Sequence, residues 1–241
     1  MPKAIAQQAK RGIAMTARNV PKVMDGGKTQ TRRIESDLRN VDDIYSDCQK
    51  LTASNGNTFF RLSVSTGSRK SVGQVGESNW SVSIESATAW DDVYPKHQVG
   101  DILYVKEALE RYEDALHSLH QVCAKYKSDG QFVVPAGDTC HIRRRWESDS
   151  GKPWKVNVLP ARYMPRSAAR TFIEITDVRC ERIQDISVDD AIAEGVTKDQ
   201  WENSGAVKAF VGLWDDTNGK GAWDRNDWVF AYTYRLVEAG S

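Results

Sequence analysis

The densest run of reactive side chains is Gly26-Gly27-Lys28-Thr29-Gln30-Thr31-Arg32-Arg33, which sets an amine beside hydroxyls and guanidiniums. Its β-branched threonines, followed by Ile34, predict an extended segment in which Thr29, Thr31 and Arg33 share one face. A glycine pair before Lys-Thr invites comparison with a phosphate-binding loop. That loop needs a preceding strand and the wider Gly-x-x-x-x-Gly-Lys-Thr spacing, which this stretch lacks; read alone, it is a solvated turn. Three other clusters carry less. His117-x-x-His120-x-x-Cys123 offers metal-type ligands, but helical spacing spreads them around the cylinder without a fourth, so no metal is expected. Cys140 and His141 are adjacent, and in a strand they would point to opposite faces, which argues against a thiol nucleophile. Arg143-Arg144-Arg145 reads as a solvated loop, although Trp146 and Trp154 add surfaces on which bases could stack. No cofactor is expected.

The elements that would position these groups follow from periodicity. Residues 11–15 suggest a first strand. Thr16 is a candidate N-cap for a short helix with Val20, Val23 and Met24 on its apolar stripe, Pro21 in its first turn and glycines at its end. From 36 to 97 the chain is rich in Ser, Gly, Asn and Thr, with short alternating pieces at Phe59–Val64 and Trp80–Ile84, and reads as an insertion of small hairpins. Val99-Gly100-Asp101-Ile102-Leu103-Tyr104-Val105 predicts a turn into a strand. A second insertion, 108–153, would hold a helix, since Leu109, Tyr112, Leu116, Leu119 and Cys123 fall at helical spacing between Glu107 and Tyr126. Pro160 and Pro165 bend a loop. Thr171–Cys180 alternates like a strand. Ser187 caps a helix with Asp190 at the capping-box position and Ala191, Ile192 and Val196 turned to the core. Phe210–Trp214 suggests a further helical turn and Trp228–Leu236 a closing strand. Glu194, beside Gly195, reads by itself as an exposed residue at a helix end. Strands around a few helices give the expected fold class: α+β, a mixed β-barrel with flanking helices and long insertions, in one domain over 1–241.

Composition narrows the functions. Lys+Arg and Asp+Glu both number 33, so the chain lacks the excess positive field of a protein that coats nucleic acid, and any such contact must be local. The sign of charge is nonetheless uneven. Up to Arg33 only Asp25 opposes eight basic residues, whereas 185–227 is mostly acidic, so folding the two together would suit a polar site. Four scattered cysteines without a CxxC pair, and a polar, Ala-rich start without a signal peptide, point to a reduced, cytoplasmic setting. No apolar run reaches the roughly 20 residues that cross a bilayer, so no membrane role is expected.

With these residues in view, Asp25 to Arg33 resembles the opening signature of ASCH-domain proteins, a branch of the PUA-like barrels, whose form is close to G-x-K-T-x-T-x-R. Further similar segments follow in the family's order: Gly100 to Glu107, Met164-Pro165-Arg166 with Ala169-Arg170, Asp177-Val178-Arg179, Ile183 to Ser187, Asp190 to Val196, Leu213-Trp214-Asp215 and Trp228-Val229. The series looks like the longer ASCH-like proteins of tailed phages and prophages, and it covers the core without the insertions. Two positions depart from that pattern: Ser167 stands where tryptophan is usual, and Leu109 where another aromatic is common.

The resemblance implies a PUA-like fold and one of two roles. ASCH proteins were first proposed as RNA-binding modules, and small bacterial members are amidohydrolases that remove the acetyl group of N4-acetylcytidine. In those enzymes the catalytic lysine and threonine lie in the K-x-x-T part of the signature, and a glutamate lies in the helix after the third core strand. The matching positions are Lys28, Thr31 and, through the Ala-x-x-Glu register, Glu194. Arg166 and Arg170 match the pocket rim, and with Arg33 and Glu107 they form the implied substrate-binding set. The implied partner is a nucleoside or modified base, free or within RNA or a single strand. Amide hydrolysis needs a nucleophile, a base and donors for an oxyanion. Two schemes stay open: Thr31 attacks while Lys28 takes its proton, or Glu194 activates a water while Lys28 holds the oxyanion. The first needs the Lys28 pKa lowered; burial and Arg32 or Arg33 would lower it and Glu194 would raise it, leaving the sign open.

Overall fold

The computed structural model of the protein describes residues 8–39, 45–63, 90–112, 123–133, 157–202 and 204–237. Two long antiparallel strands, β10 (Phe172–Arg182) and β11 (Trp228–Leu236), carry the frame. Their sequences alternate, and where the alternation of β10 slips, between Ile175 and Asp177, the register slips with it. That bulge keeps Ile173 and Ile175 before it, and Val178 and Cys180 after it, in one buried set. Around this pair lie β6 (Ile102–Lys106), β1 (Arg11–Ala14), parallel to β6, and β2 (Gln30–Arg33), giving the order β1-β6-β10-β11-β2. The fold is mixed α+β, as the pattern predicts.

It does not contain the expected closed barrel. The edge strands β1 and β2, four residues each, do not pair. Instead the Arg33 guanidinium, at the end of β2, donates to the carbonyl of Ala14 at the end of β1 and lies 3.6 Å from the Met15 sulfur. The sheet therefore curls until its edges are one side chain apart, around a core that includes Ile13, Val105, Ile173 and Tyr232.

The region expected to hold hairpins forms an antiparallel meander, β3 (Asp47–Thr52), β4 (Thr58–Ser63) and β5 (Trp90–Val93), and Phe60, Leu62 and Val93 enter the same core. The expected piece at Trp80–Ile84 lies outside the described residues, as do Cys140, His141 and the Arg143–Trp154 stretch. The helix expected from Glu107 to Tyr126 is overturned. Both ends of that span are strands, β7 (Leu109–Tyr112) and β8 (Cys123–Tyr126), paired with each other, and β7 also pairs with β9 (Val158–Leu159). The two-residue period wins there: Ala124 and Tyr126 are buried on either side of half-buried Lys125, packing with Leu109, Met164 and Ala168. His117 and His120 lie outside the described residues.

Helix α1 (Val20–Met24) starts from Asn19 rather than Thr16; Val20 and Val23 are buried, but Met24 is exposed. Helix α2 (Val188–Ala193) is capped as predicted, the Ser187 hydroxyl accepting from the Asp190 amide. Ala191 and Val196 face the core, whereas Ile192, expected to join them, is 37% exposed. After a short α3 (Lys198–Trp201), α4 runs over Ala206–Asn218, longer than the single turn expected, and buries Phe210 and Trp214. Among the described residues no helix is long and apolar enough to cross a membrane.

Candidate active site

The basic N-terminal stretch and the acidic C-terminal region do meet, at the end of α2. Gly26, at φ 78°, turns the chain out of α1, and the Lys28 amide then donates to the Lys22 carbonyl at 2.7 Å. The next residue is clamped between two elements: Thr29 N–H donates to Ala193 O, and Tyr234 N–H donates to Thr29 O, both at 2.9 Å. Helix α2 ends at Glu194 and turns away through Gly195 at φ 91°. A Cβ on Gly195 would lie 3.2 Å from Lys22 Cδ and 3.3 Å from Lys28 Cβ, so glycine allows both lysines to pack across the helix end. There the carbonyls left over by the helix accept from cations: Lys22 Nζ binds Gly195 O, and Lys28 Nζ binds Glu194 O at 2.6 Å.

Lys28 is 2% exposed and Glu194 7%, and their side chains are joined by a 2.6 Å bond from Nζ to Oε2. The other Glu194 oxygen accepts from Arg32 Nη1 at 3.2 Å. Arg32, whose side chain is fully buried, also donates to Glu181 Oε1 from Nε and Nη2, to Asp190 Oδ2 and to Gln30 Oε1. Arg179 shares Asp190 at 3.0 Å. Three basic side chains thus meet three carboxylates drawn from β2, β10 and α2 and the residues flanking them. Asp190 therefore spends its carboxylate on Gln30, Arg32 and Arg179.

The charge state of Lys28 is set by opposing effects. Burial pushes its amine below the ordinary lysine value and outweighs Glu194, which raises it by charge and hydrogen bond; Arg33 and Lys22 add to the lowering. The sign left open by sequence is resolved downward.

Alternation along β2 sends Gln30 and Arg32 to this network and Thr31 to the opposite face, where it is 4% exposed and stands across from Tyr232 of β11. Thr29, expected to share that face, is exposed. Buried groups of the site without a hydrogen-bond partner among the described residues include the Tyr234 hydroxyl and the Nε atoms of Arg33 and Arg179. Burial raises the Tyr234 phenol, and the Glu194 charge raises it further, so the hydroxyl keeps its proton. Nearby, Tyr232 donates to Glu35 at 2.9 Å, and His97 packs edge-on against its ring.

No protein-family model, curated protein or solved structure matches the chain.

The structure joins Lys28 to Glu194 and leaves the rest of the implied set apart from them. Arg33 bridges the sheet edges. Glu107 and Arg170 bind each other at 2.7 and 2.9 Å and share no hydrogen bond with Lys28, Thr31 or Glu194 among the described residues. Arg166 is exposed on a single helical turn. Arg32, Glu181, Asp190 and Tyr234 were not singled out from sequence as site residues. The phase of β2 would have pointed to Arg32, since residues 28, 30 and 32 fall two apart. Its acidic partners lie about 150 residues away in the chain and leave no local signal.

Proposed function

We propose that the chain is an ASCH-type, PUA-like protein that hydrolyses the amide between an acyl group and the exocyclic amine of an N4-acylated cytosine nucleoside, in a phage- or prophage-encoded, cytoplasmic setting. The observation that carries this reading is the buried 2.6 Å contact of Lys28 with Glu194, with burial holding the amine's pKa down. A neutral amine has two N–H donors and one lone pair. Both donors are accounted for by Glu194 O and Oε2, which leaves the lone pair to accept a proton. In this scheme a water adds to the acyl carbonyl carbon as one of its protons passes to Lys28 Nζ, and Thr31, on the opposite face of β2, stays outside the step. The tetrahedral adduct then expels the cytosine amine, which takes that proton, and the carboxylic acid is released. Glu194, held by Arg32, keeps the lysine in place, and the partnerless Tyr234 hydroxyl is a donor for the oxyanion.

The test is incubation of the protein with N4-acetylcytidine and its deoxy form, following the ultraviolet change. Turnover is expected in the wild type and is lost in Lys28→Ala and Glu194→Gln. Thr31→Ala is expected to keep substantial activity, and its loss would support a threonine nucleophile instead. No turnover by the wild type ends the reading. One observation favours a second reading, a non-catalytic module for RNA, DNA or a modified base: both Glu194 oxygens already accept from cations, as a purely structural clasp would have them. Tight oligonucleotide binding without turnover is its signature.

A further inference from the structure

A concave feature lies beyond the far end of β2. It is a cleft of about 510 Å³ whose lining includes Arg39, Arg182, Asn218, Arg225, Asp227 and Trp228. Among the described residues three guanidiniums face it against one carboxylate, and that carboxylate is tied to Arg225 at 3.1 Å. Arg182 is set in place by the carbonyls of Asn226 and Tyr45, both at 3.0 Å, and lies 4.6 Å over the Trp228 ring. Arg39 and Arg225 are exposed. Trp228 is 4% exposed, and its indole N–H has no acceptor among the described residues. Three guanidiniums gathered around a single carboxylate in a cleft call for a ligand made of acceptors.

We propose that this cleft binds a phosphate group, as a monoester or as a phosphodiester of a nucleic-acid backbone. Guanidiniums match the geometry of phosphate oxygens in pairs, and several can share one tetrahedral anion. The C-terminal end of α4 places partial negative charge near Asn218, so attraction comes from the arginines rather than from a helix dipole. Arg182 covers one face of Trp228, which removes that face as a platform for a base. The cleft reads charge and oxygen positions, and binding is indifferent to base sequence. Ile34 lines it too, only six residues beyond Lys28, or roughly 20 Å of extended chain. The inference does not rest on the hydrolase reading.

The test uses the full chain with two probes, fluorescein-labelled thymidine octanucleotide and thymidine monophosphate, in anisotropy and competition titrations across salt concentrations. Binding is expected, with a log–log salt slope near −2 for the octanucleotide, about −0.7 for each of three contacts. Octanucleotide binding more than about ten-fold tighter than the monophosphate assigns the site to a nucleic-acid backbone, and equal binding assigns it to monoesters. The double variant Arg39→Gln/Arg225→Gln, at exposed positions, should bind about ten-fold or more weakly. Asp227→Asn, which removes the one carboxylate, should bind more tightly, a gain that damage to the fold would not produce. Absence of binding by both probes, or equal binding by wild type and both variants, overturns the proposal.

Discussion

Two buried ion clusters answer the same problem differently. Arg170 spends all five of its N–H donors: on Glu107 Oε1 and Oε2, Asp129 Oδ2, Gln131 Oε1 and Ser128 Oγ, with the Tyr126 ring 3.7 Å away. Nothing is left for a ligand, and the cluster acts as a rivet between β8, the loop after it and the segment leading into β10. The Lys28–Glu194 cluster also pairs every carboxylate with a basic side chain, yet it borders a phenol and a guanidinium nitrogen that have no hydrogen-bond partner among the described residues. A saturated cluster holds a fold together, and an unsaturated one keeps capacity for something that arrives later.

The sharpest way to break this comparison is to neutralise each cluster and measure activity and stability together. Lys28→Met should lower hydrolysis of N4-acetylcytidine by about 10²–10⁴-fold, the usual weight of a positioned base. In the wild type, kcat/KM should rise with pH along a one-proton limb below the ordinary lysine pKa, because burial lowers Lys28 and the proposed base acts as the neutral amine. Arg170→Met should behave in the opposite way. It leaves the fully buried Glu107 carboxylate without its guanidinium, so the unfolding free energy in denaturant should fall by about 3–5 kcal/mol. The remaining folded protein should keep its turnover.

The next effect concerns His97, beside Tyr232. Burial lowers its pKa from 6.5 to about 4, so the unfolded chain takes up the proton first. Stability should be complete above pH 6.5, fall by roughly 3 kcal/mol as pH drops towards 4, and be flatter over that range in His97→Gln. The smallest change tests the partnerless phenol directly. Tyr234→Phe should leave stability unchanged or raise it by up to about 1 kcal/mol, since it removes a buried polar group with no partner. Its turnover should fall at the same time; unchanged turnover would deny the hydroxyl a place in the site.

Sequence was a good guide where one physical rule dominated. Strand β6, both long strands and the Ser187 cap follow from alternation and local hydrogen bonding. It failed where two rules competed. Leu109, Tyr112 and Cys123 satisfy a helical period, but the two ends of that segment pair as strands, with Leu109 opposite Tyr126 and both buried. The closed barrel was an inference from strand content, and content does not report whether the last two edges meet. At the site, Lys28 and Glu194 came from the family resemblance, and only the folded chain brings them into contact. The alternation expected along β2 holds, with Thr31 and Arg33 on one face, but the buried charges gather on the Gln30–Arg32 face, which the threonines gave no reason to single out.

The Arg33 bridge has a consequence for how the molecule meets copies of itself. An unpaired sheet edge is a template on which another chain can add a strand, the first step towards aggregation. Here the Ala14 carbonyl that such an intruder would use is already occupied from across the seam, and each edge is only four residues long. By turning the two margins of the five-stranded sheet towards each other, the protein guards that sheet against polymerising without completing the ladder that would seal it.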